Sequence, residues 1–254
     1  MRFLMKLFSE ESAFGRFLNR LYVLITANLL FVLFSLPVVT IGASLTALNY
    51  TMMKLQRGDK HFKVAATFWK GFRENWKKST LAFLILGALV LFQLLEISWC
   101  RQFQGAVAAF EYVLVGLLVL EGMLAIYLFP VIAAFNGGLG ELLRDAMYFA
   151  FAKPHWLVVN LALYVLPLWG TYAALTYLPL WAFLWLMIGF GLIVYLSTHL
   201  MLKIFTPFLP EVDICGDVIP PGMEDDPNIM VADGKAEDDD PDEKTLREMM
   251  KYGL

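Results

Sequence analysis

The stretch "LFSLPVVTIGASL" (residues 33–45) interrupts an apolar run of 33 residues that begins at Leu21. A straight helix over this run would be about 50 Å long, whereas the hydrocarbon core of a bilayer is about 30 Å thick. Pro37 cannot donate a backbone hydrogen bond and disfavours helix at the residue before it, and Gly42 accepts any turn conformation. The stretch therefore predicts a connection between two short helices, Leu21–Leu36 and Ala43–Leu55.

The distribution of basic residues supports a reversal of the chain at this point. Cytoplasmic flanks of membrane helices are rich in Lys and Arg. Four basic residues precede Leu21 and eight lie in residues 54–78, so a reversal at Pro37 places both groups on the cytoplasmic side. We therefore predict six spans, arranged as three hairpins, with both termini in the cytoplasm. Five spans, with the amino terminus outside, are the alternative.

The composition is that of an integral membrane protein. Hydrophobic residues make up 59% of the 254 residues, compared with about 45–50% in soluble domains. Later apolar runs are each near the ~20 residues that a membrane-spanning helix needs. These runs are Leu81–Trp99, Ala106–Pro130, Trp156–Tyr177 and Leu180–Leu202. The sequence predicts an all-α, polytopic transmembrane helical bundle.

The distribution of charge separates a basic body from an acidic carboxyl-terminal tail. Residues 1–210 hold 16 Lys and Arg against 9 Asp and Glu, whereas residues 211–254 hold 4 against 14. An acidic segment that contains Pro and Gly is typical of disorder. We predict an interfacial amphipathic segment at 1–20, a transmembrane helical domain at 21–207, and an acidic, largely disordered cytoplasmic tail at 208–254.

Two further amphipathic stretches precede later spans, "HFKVAATFWKGFRENWKK" (residues 61–78) and "NGGLGELLRDAMYFAFAKP" (residues 136–154). Aromatic and basic residues at helical spacing are typical of a helix that lies in the membrane interface. The first stretch predicts a surface that contacts the membrane or a partner protein. A nucleic-acid partner is not expected, because this basic stretch lies between two spans. The predicted contact residues are Phe68, Trp69, Lys70, Phe72, Arg73, Trp76, Lys77 and Lys78.

Glu121 is the polar residue that most needs an explanation, because it falls near the middle of a span. A charge at that depth costs at least about 2.5 kcal/mol, so the side chain is protonated, paired or next to a wet cavity. One interpretation is a ligand or proton site formed with His199 and Asn28. The other is a neutral carboxyl that bonds to a neighbouring helix through Asn28, Tyr195 or His199. No metal site or cofactor is predicted, because the His residues lack ligand spacing relative to any Cys or carboxylate. No catalytic residue is predicted, because the polar residues form no recognisable motif.

The N-terminal third carries a family resemblance. The stretch "NLLFVLFSLPVVTIGASLTALNYTMMKLQRGD" (residues 28–59), followed by "FWKGFRENWKKS" (residues 68–79), resembles the YesL family of bacterial membrane proteins. That family has no characterised activity, and its members often occur beside genes for carbohydrate uptake. The resemblance implies a non-enzymatic accessory or regulatory protein, with a sugar ABC importer as a possible partner. The alternative is a small-solute transporter or channel with an intramembrane carboxylate.

Overall fold

A computed structural model of the protein describes residues 13–58, 63–103, 105–173 and 178–205. These residues form helices and short connections, which confirms the all-α class. The helices are α1 (Ala13–Phe34), a 3₁₀ turn (Val38–Thr40), α2 (Ile41–Gln56), α3 (Val64–Cys100), α4 (Ala106–Ala134), α5 (Leu139–Ala152), α6 (Pro154–Ala173), and α7, which is continuous through Leu178–Leu184, a π-helical segment (Trp185–Gly189) and Phe190–Phe205. Most of the predicted interfacial segment at 1–20 and all of the predicted acidic tail lie outside the described residues.

Five of the described helices are long and apolar enough to cross a membrane: α1, α3, α4, α6 and α7. Helix α2 has 16 residues, which gives a length of about 24 Å against about 30 Å of hydrocarbon. The polytopic class is therefore confirmed, and within the described residues five helices are candidate spans by length and composition, while the sixth predicted membrane helix is the shorter α2. The second arm of the predicted first hairpin is a short interior helix.

The predicted break at Pro37 is present. Helix α1 ends at Phe34, and the Thr40 hydroxyl lies 2.6 Å from the carbonyl oxygen of Phe34 and 2.7 Å from that of Pro37. Leu24 of α1 and Leu48 of α2 belong to one buried cluster, whereas an unbroken helix would separate them by about 36 Å. The chain therefore folds back on itself after α1.

Helix α2 lies in the interior, where it contacts α1, α3, α4 and α7. Ten of its residues are buried: Gly42, Ala43, Ser44, Thr46, Ala47, Leu48, Asn49, Thr51, Met52 and Met53. Three of its polar side chains donate to carbonyl oxygens four residues earlier, at 2.8–3.0 Å. Because these groups are bonded within their own helix, α2 can carry them into an apolar environment without leaving their donors unpaired.

Helix α3 joins the predicted interfacial stretch to the span that follows it. It has 37 residues and a length of about 55 Å, so the predicted separate interfacial helix at 61–78 is wrong as a separate element. Its first half runs antiparallel to α2, with Gly71 against Tyr50 and Ser79 against Gly42. The first half of α3 packs against the buried face of α2. This packing keeps α3 continuous from the amphipathic stretch into the span.

The remaining helices form two antiparallel pairs with one helix between them. In the α3–α4 pair, Gln93 bonds to Glu121 and Arg101 to Glu111; in the α6–α7 pair, Ser197 bonds to Asn160 and Trp185 to Thr171. These pairs correspond to the second and third predicted hairpins. Helix α5, the third amphipathic stretch, packs against α4 and α6.

We expect Gly42→Ala to lower the stability of the protein. A Cβ atom at this position would collide with the Ser79 carbonyl oxygen and lie 2.6 Å from the Phe83 Cβ, so α2 and α3 would have to separate. Overpacking of this kind costs about 1–3 kcal/mol. The measurement is the melting temperature of the detergent-purified protein. Gly87→Ala is the control, because a Cβ there meets nothing within 4 Å; equal melting temperatures for the two variants would contradict the expectation.

Candidate functional site

The candidate site is a hydrogen-bonded pair of side chains, Glu121 on α4 and Gln93 on α3. The Gln93 Nε2 donates to Glu121 Oε1 at 2.9 Å, and Gln93 is only 9% exposed. The two outer oxygens of the pair, Glu121 Oε2 and Gln93 Oε1, are buried and have no hydrogen-bond partner within the described part of the chain. The pair therefore retains two buried acceptor atoms that no group in the described residues satisfies.

A pocket of about 220 Å³ adjoins this pair. Apart from Gln93 and Glu121, its lining is apolar and comes from α4, α5 and α6, with Leu120, Met123, Met147, Phe151 and Leu157 among the side chains. The site therefore combines one carboxylate and one amide with apolar walls. A pocket of this kind selects a ligand by a single polar contact and by the fit of an apolar body.

The position of the pair is set by the antiparallel packing of α3 and α4. Near the ends of these helices, Arg101 Nε and Nη2 both donate to Glu111 Oε1, at 2.8 and 2.6 Å. This bond and the charge of Glu111 raise the pKa of Arg101 above its ordinary value. Two further turns into the helices, the same packing places Gln93 opposite Glu121. The partner of Glu121 is thus Gln93, a residue that was not among the predicted partners.

Asn28 has a different role from Glu121. Its Nδ2 lies 3.0 Å from the carbonyl oxygen of Trp185 and 2.6 Å from that of Leu186, and the Gly191 N–H donates to its Oδ1 at 2.8 Å. Trp185 and Leu186 begin the π-helical segment of α7, where the backbone departs from the regular hydrogen-bond pattern. Asn28 therefore bonds α1 to the irregular backbone of α7.

The structure does not bring Glu121, His199 and Asn28 together. Asn28 lies between α1 and α7, whereas Glu121 lies between α3 and α4. His199 is exposed on α7. A ligand or proton role for these three residues stays a prediction, and only Glu121 adjoins a described pocket. Among the residues that the structure describes, no three His, Cys, Asp or Glu side chains are grouped so that they could hold a metal ion.

A second set of buried polar contacts holds α7 in place. Gln56 Nε2 donates to the Tyr195 carbonyl oxygen at 2.7 Å and to Thr198 Oγ1 at 2.8 Å. Ser197 Oγ donates to Asn160 Oδ1 at 2.6 Å. Sequence reasoning did not single out Gln56, which stands beside Lys54 and Arg57 and has the pattern of a helix end in water. These contacts link α2, α6 and α7.

Most of the predicted contact surface is exposed on the first half of α3. Trp69 is 49% and Trp76 46% exposed, and Lys70, Arg73 and Lys77 are also exposed, while Phe72 and Lys78 are half-buried. Phe68 differs from the prediction, because it is fully buried in the cluster that joins α1, α2 and α3. It is a core residue and offers no surface to a partner.

We expect Asn28→Leu to destabilise the protein, because the Trp185 and Leu186 carbonyl oxygens and the Gly191 N–H would lose the partner that Asn28 provides. Leaving buried polar groups unpaired costs about 1–3 kcal/mol each. The measurement is again the melting temperature in detergent. The matched control is Asn75→Ala, because within the described residues the Asn75 amide donates to the Gly71 carbonyl oxygen of its own helix. A melting temperature for Asn28→Leu equal to that of the unaltered protein would show that Asn28 does not stabilise α7.

Comparisons with known proteins agree with the resemblance that the sequence suggested. Residues 24–97, from α1 through most of α3, match the family described as "Protein of unknown function, DUF624". The "Uncharacterized protein YesL" of Bacillus subtilis (strain 168) is 25% identical over 130 residues, which cover 50% of this chain and 61% of that protein. No solved structure matches the chain. Residues 24–97 are therefore similar to the DUF624 family, and about half of the chain is similar to the uncharacterized YesL of Bacillus subtilis.

Proposed function

We propose that this multi-pass membrane protein is a non-enzymatic accessory or regulatory component of another membrane complex. The proposed class of partner is a carbohydrate importer, which rests on the family resemblance alone. The observation that supports an accessory role is the aromatic and basic surface on the first half of α3. We call this the α3 surface and define it by Trp69, Lys70, Arg73, Trp76 and Lys77.

Packing on the buried face of α3 fixes the orientation of the α3 surface. The opposite face of the same helix turns contains Val64, Phe68 and Gly71, all of which are buried. Gly71 lies so close to α2 that a Cβ atom there would be 2.9 Å from the Tyr50 ring. Because the helix cannot roll without losing this packing, the exposed side chains have a fixed orientation. A preorganised surface loses less entropy when a partner binds.

The composition of the α3 surface suits a protein partner at a membrane. Trp and Arg are enriched among the residues that dominate binding energies at interfaces, and basic side chains are attracted to anionic lipids near the bilayer surface. A shallow depression of about 460 Å³ lies between Trp69, Lys70, Arg73 and Glu74. It has the size to receive a side chain of a partner that supplies complementary acidic groups.

The proposed orientation places the α3 surface in the cytoplasm of a bacterial cell, at the inner membrane. The support is the enrichment of Lys and Arg in residues 54–78. The turn between α3 and α4, which carries Arg101, then lies outside. Five crossings alone would put the two termini on opposite sides, so both are cytoplasmic only if the chain also returns across the membrane between α1 and α3.

Cysteine labelling tests this orientation in intact cells. The native cysteines, Cys100 and Cys215, are first replaced by Ser, and single cysteines are then introduced as Ser9→Cys, Glu74→Cys or Gln102→Cys. We expect a membrane-impermeant maleimide to label the cysteine at 102 directly, and the other two only after permeabilisation. Direct labelling of the cysteine at 9 would support the five-span arrangement with the amino terminus outside, and direct labelling of that at 74 would contradict a cytoplasmic α3 surface.

Charge reversal tests the partner surface. We expect the triple variant Lys70→Glu/Arg73→Glu/Lys77→Glu to lose its membrane partners in affinity purification from mild detergent, because like charges then meet an acidic partner. The matched control is Arg144→Glu/Lys153→Glu, which reverses exposed charges on and just after α5. Quantitative mass spectrometry of the eluates is the measurement. An absence of importer or regulator subunits with the unaltered chain, or equal recovery with the triple variant, would contradict the proposal.

A small-solute transporter is the second candidate, and the half-buried Glu121 carboxyl beside a pocket is the observation that favours it. The pocket, however, offers polar contacts only through Gln93 and Glu121. A polar solute needs replacement hydrogen bonds along its whole path, since each unpaired group is costly in an apolar environment. The pocket therefore suits the binding of an apolar molecule better than the passage of a polar one.

A further inference from the structure

We propose that the pocket beside Glu121 binds a small amphiphile that carries a primary ammonium group on a single hydrocarbon chain. The ammonium group pairs with Glu121 and Gln93, and the chain lies against the apolar walls. This binding site is separate from the α3 surface and does not depend on the proposed accessory role.

The charges of the pocket favour a cationic head group. The pocket lining includes one carboxyl group and, within the described part of the chain, no Lys, Arg or His. A carboxylate among Leu, Met and Phe side chains is costly unless it takes up a proton or a positive charge pairs with it. An alkylammonium ion supplies that charge and can enter from the hydrocarbon side.

The hydrogen-bonding geometry favours a head group with more than one donor. Glu121 Oε2 and Gln93 Oε1 are both buried acceptors without a partner in the described residues. The other two atoms of these groups, Gln93 Nε2 and Glu121 Oε1, are hydrogen-bonded at 2.9 Å. An ammonium group has three donor hydrogens, enough to supply one donor to each oxygen. A hydroxyl group has one donor and leaves one of the oxygens unpaired, and a carboxylate repels Glu121.

The size of the pocket favours an unbranched chain. Its volume of about 220 Å³ is below the roughly 300–1,000 Å³ of sites for drug-sized ligands. Two of the wall side chains, Met123 and Met147, are flexible thioethers that adapt to an irregular ligand. The rim includes Leu120, Met147 and Phe151, which are exposed. Leu120 lies on the candidate span α4, where an exposed apolar side chain faces lipid, so an amphiphile can reach this side of the pocket without crossing water.

Photo-crosslinking of the full chain in phosphatidylcholine nanodiscs tests this proposal. The probes are decylamine, decanol and decanoic acid, each with a diazirine in the hydrocarbon chain. We expect the amine to form adducts on peptides that contain residues 117–124 or 147–151, and unlabelled decylamine to compete. Glu121→Gln should weaken amine labelling by about tenfold or more, the loss of one charge-assisted hydrogen bond. Glu96→Gln, which changes a carboxyl group on α3 outside the pocket, should leave the labelling unchanged.

A second variant separates loss of binding from loss of folding. Leu120→Trp adds volume at the rim without altering charge, so it should prevent labelling by the amine while the protein keeps its size-exclusion profile. Glu121→Gln must also keep that profile for its result to count as support. The proposal is overturned if the amine gives no competed labelling, if decanol or decanoic acid labels the same peptides as well as the amine does, or if labelling persists in Glu121→Gln.

Discussion

The enclosure of helix α2 is the constraint on which the rest of the fold depends. With 16 residues it is too short to cross the hydrocarbon core in the manner of its neighbours, and its buried face reaches nearly all the way round. Small residues at its start allow the backbone of α3 to approach closely, as at Gly42, where even a methyl group would collide with the Ser79 carbonyl. Helices α1, α3, α4 and α7 must therefore surround α2, and the chain must break after Phe34 to let it enter.

Burial of a helix that contains Ser, Thr and Asn requires that these groups find partners. In α2 the side chains of Thr46, Asn49 and Thr51 donate to backbone carbonyl oxygens one turn earlier, whereas Ser44 Oγ and Asn49 Oδ1 have no partner within the described residues. The Thr46 hydroxyl also bonds to the Ser79 hydroxyl of α3 at 2.8 Å. One hydroxyl therefore bonds to the Gly42 carbonyl oxygen of its own helix and fixes the register between α2 and α3. Polar residues in the interior of this bundle thus do not by themselves indicate a path for solutes.

Local chemistry explains which features could be predicted from the sequence. Pro37 and Gly42 act on their own backbone, so the break was predictable, as were the helical class and the apolar spans. The burial of α2 depends on four helices that are distant in the sequence. The length of this predicted helix therefore did not show that it would be enclosed. Phe68 and Trp69 are adjacent aromatics on one amphipathic helix, and only the position of α2 decides that one is buried and the other exposed. The π-helical segment of α7 likewise has no local signal in "WLMIG".

The three polar residues proposed from the sequence as a site differ in what their hydrogen-bonding groups still lack. Asn28 uses both ends of its amide on the backbone of α7, so a ligand could bind it only by breaking those bonds. His199 is exposed on a span, where no pocket would define the orientation of a ligand. Glu121 and Gln93 satisfy each other through one bond and keep two buried acceptors beside an apolar pocket. Because an unpaired acceptor is most costly where water is absent, this pair has the largest free energy to gain from a ligand that donates hydrogen bonds.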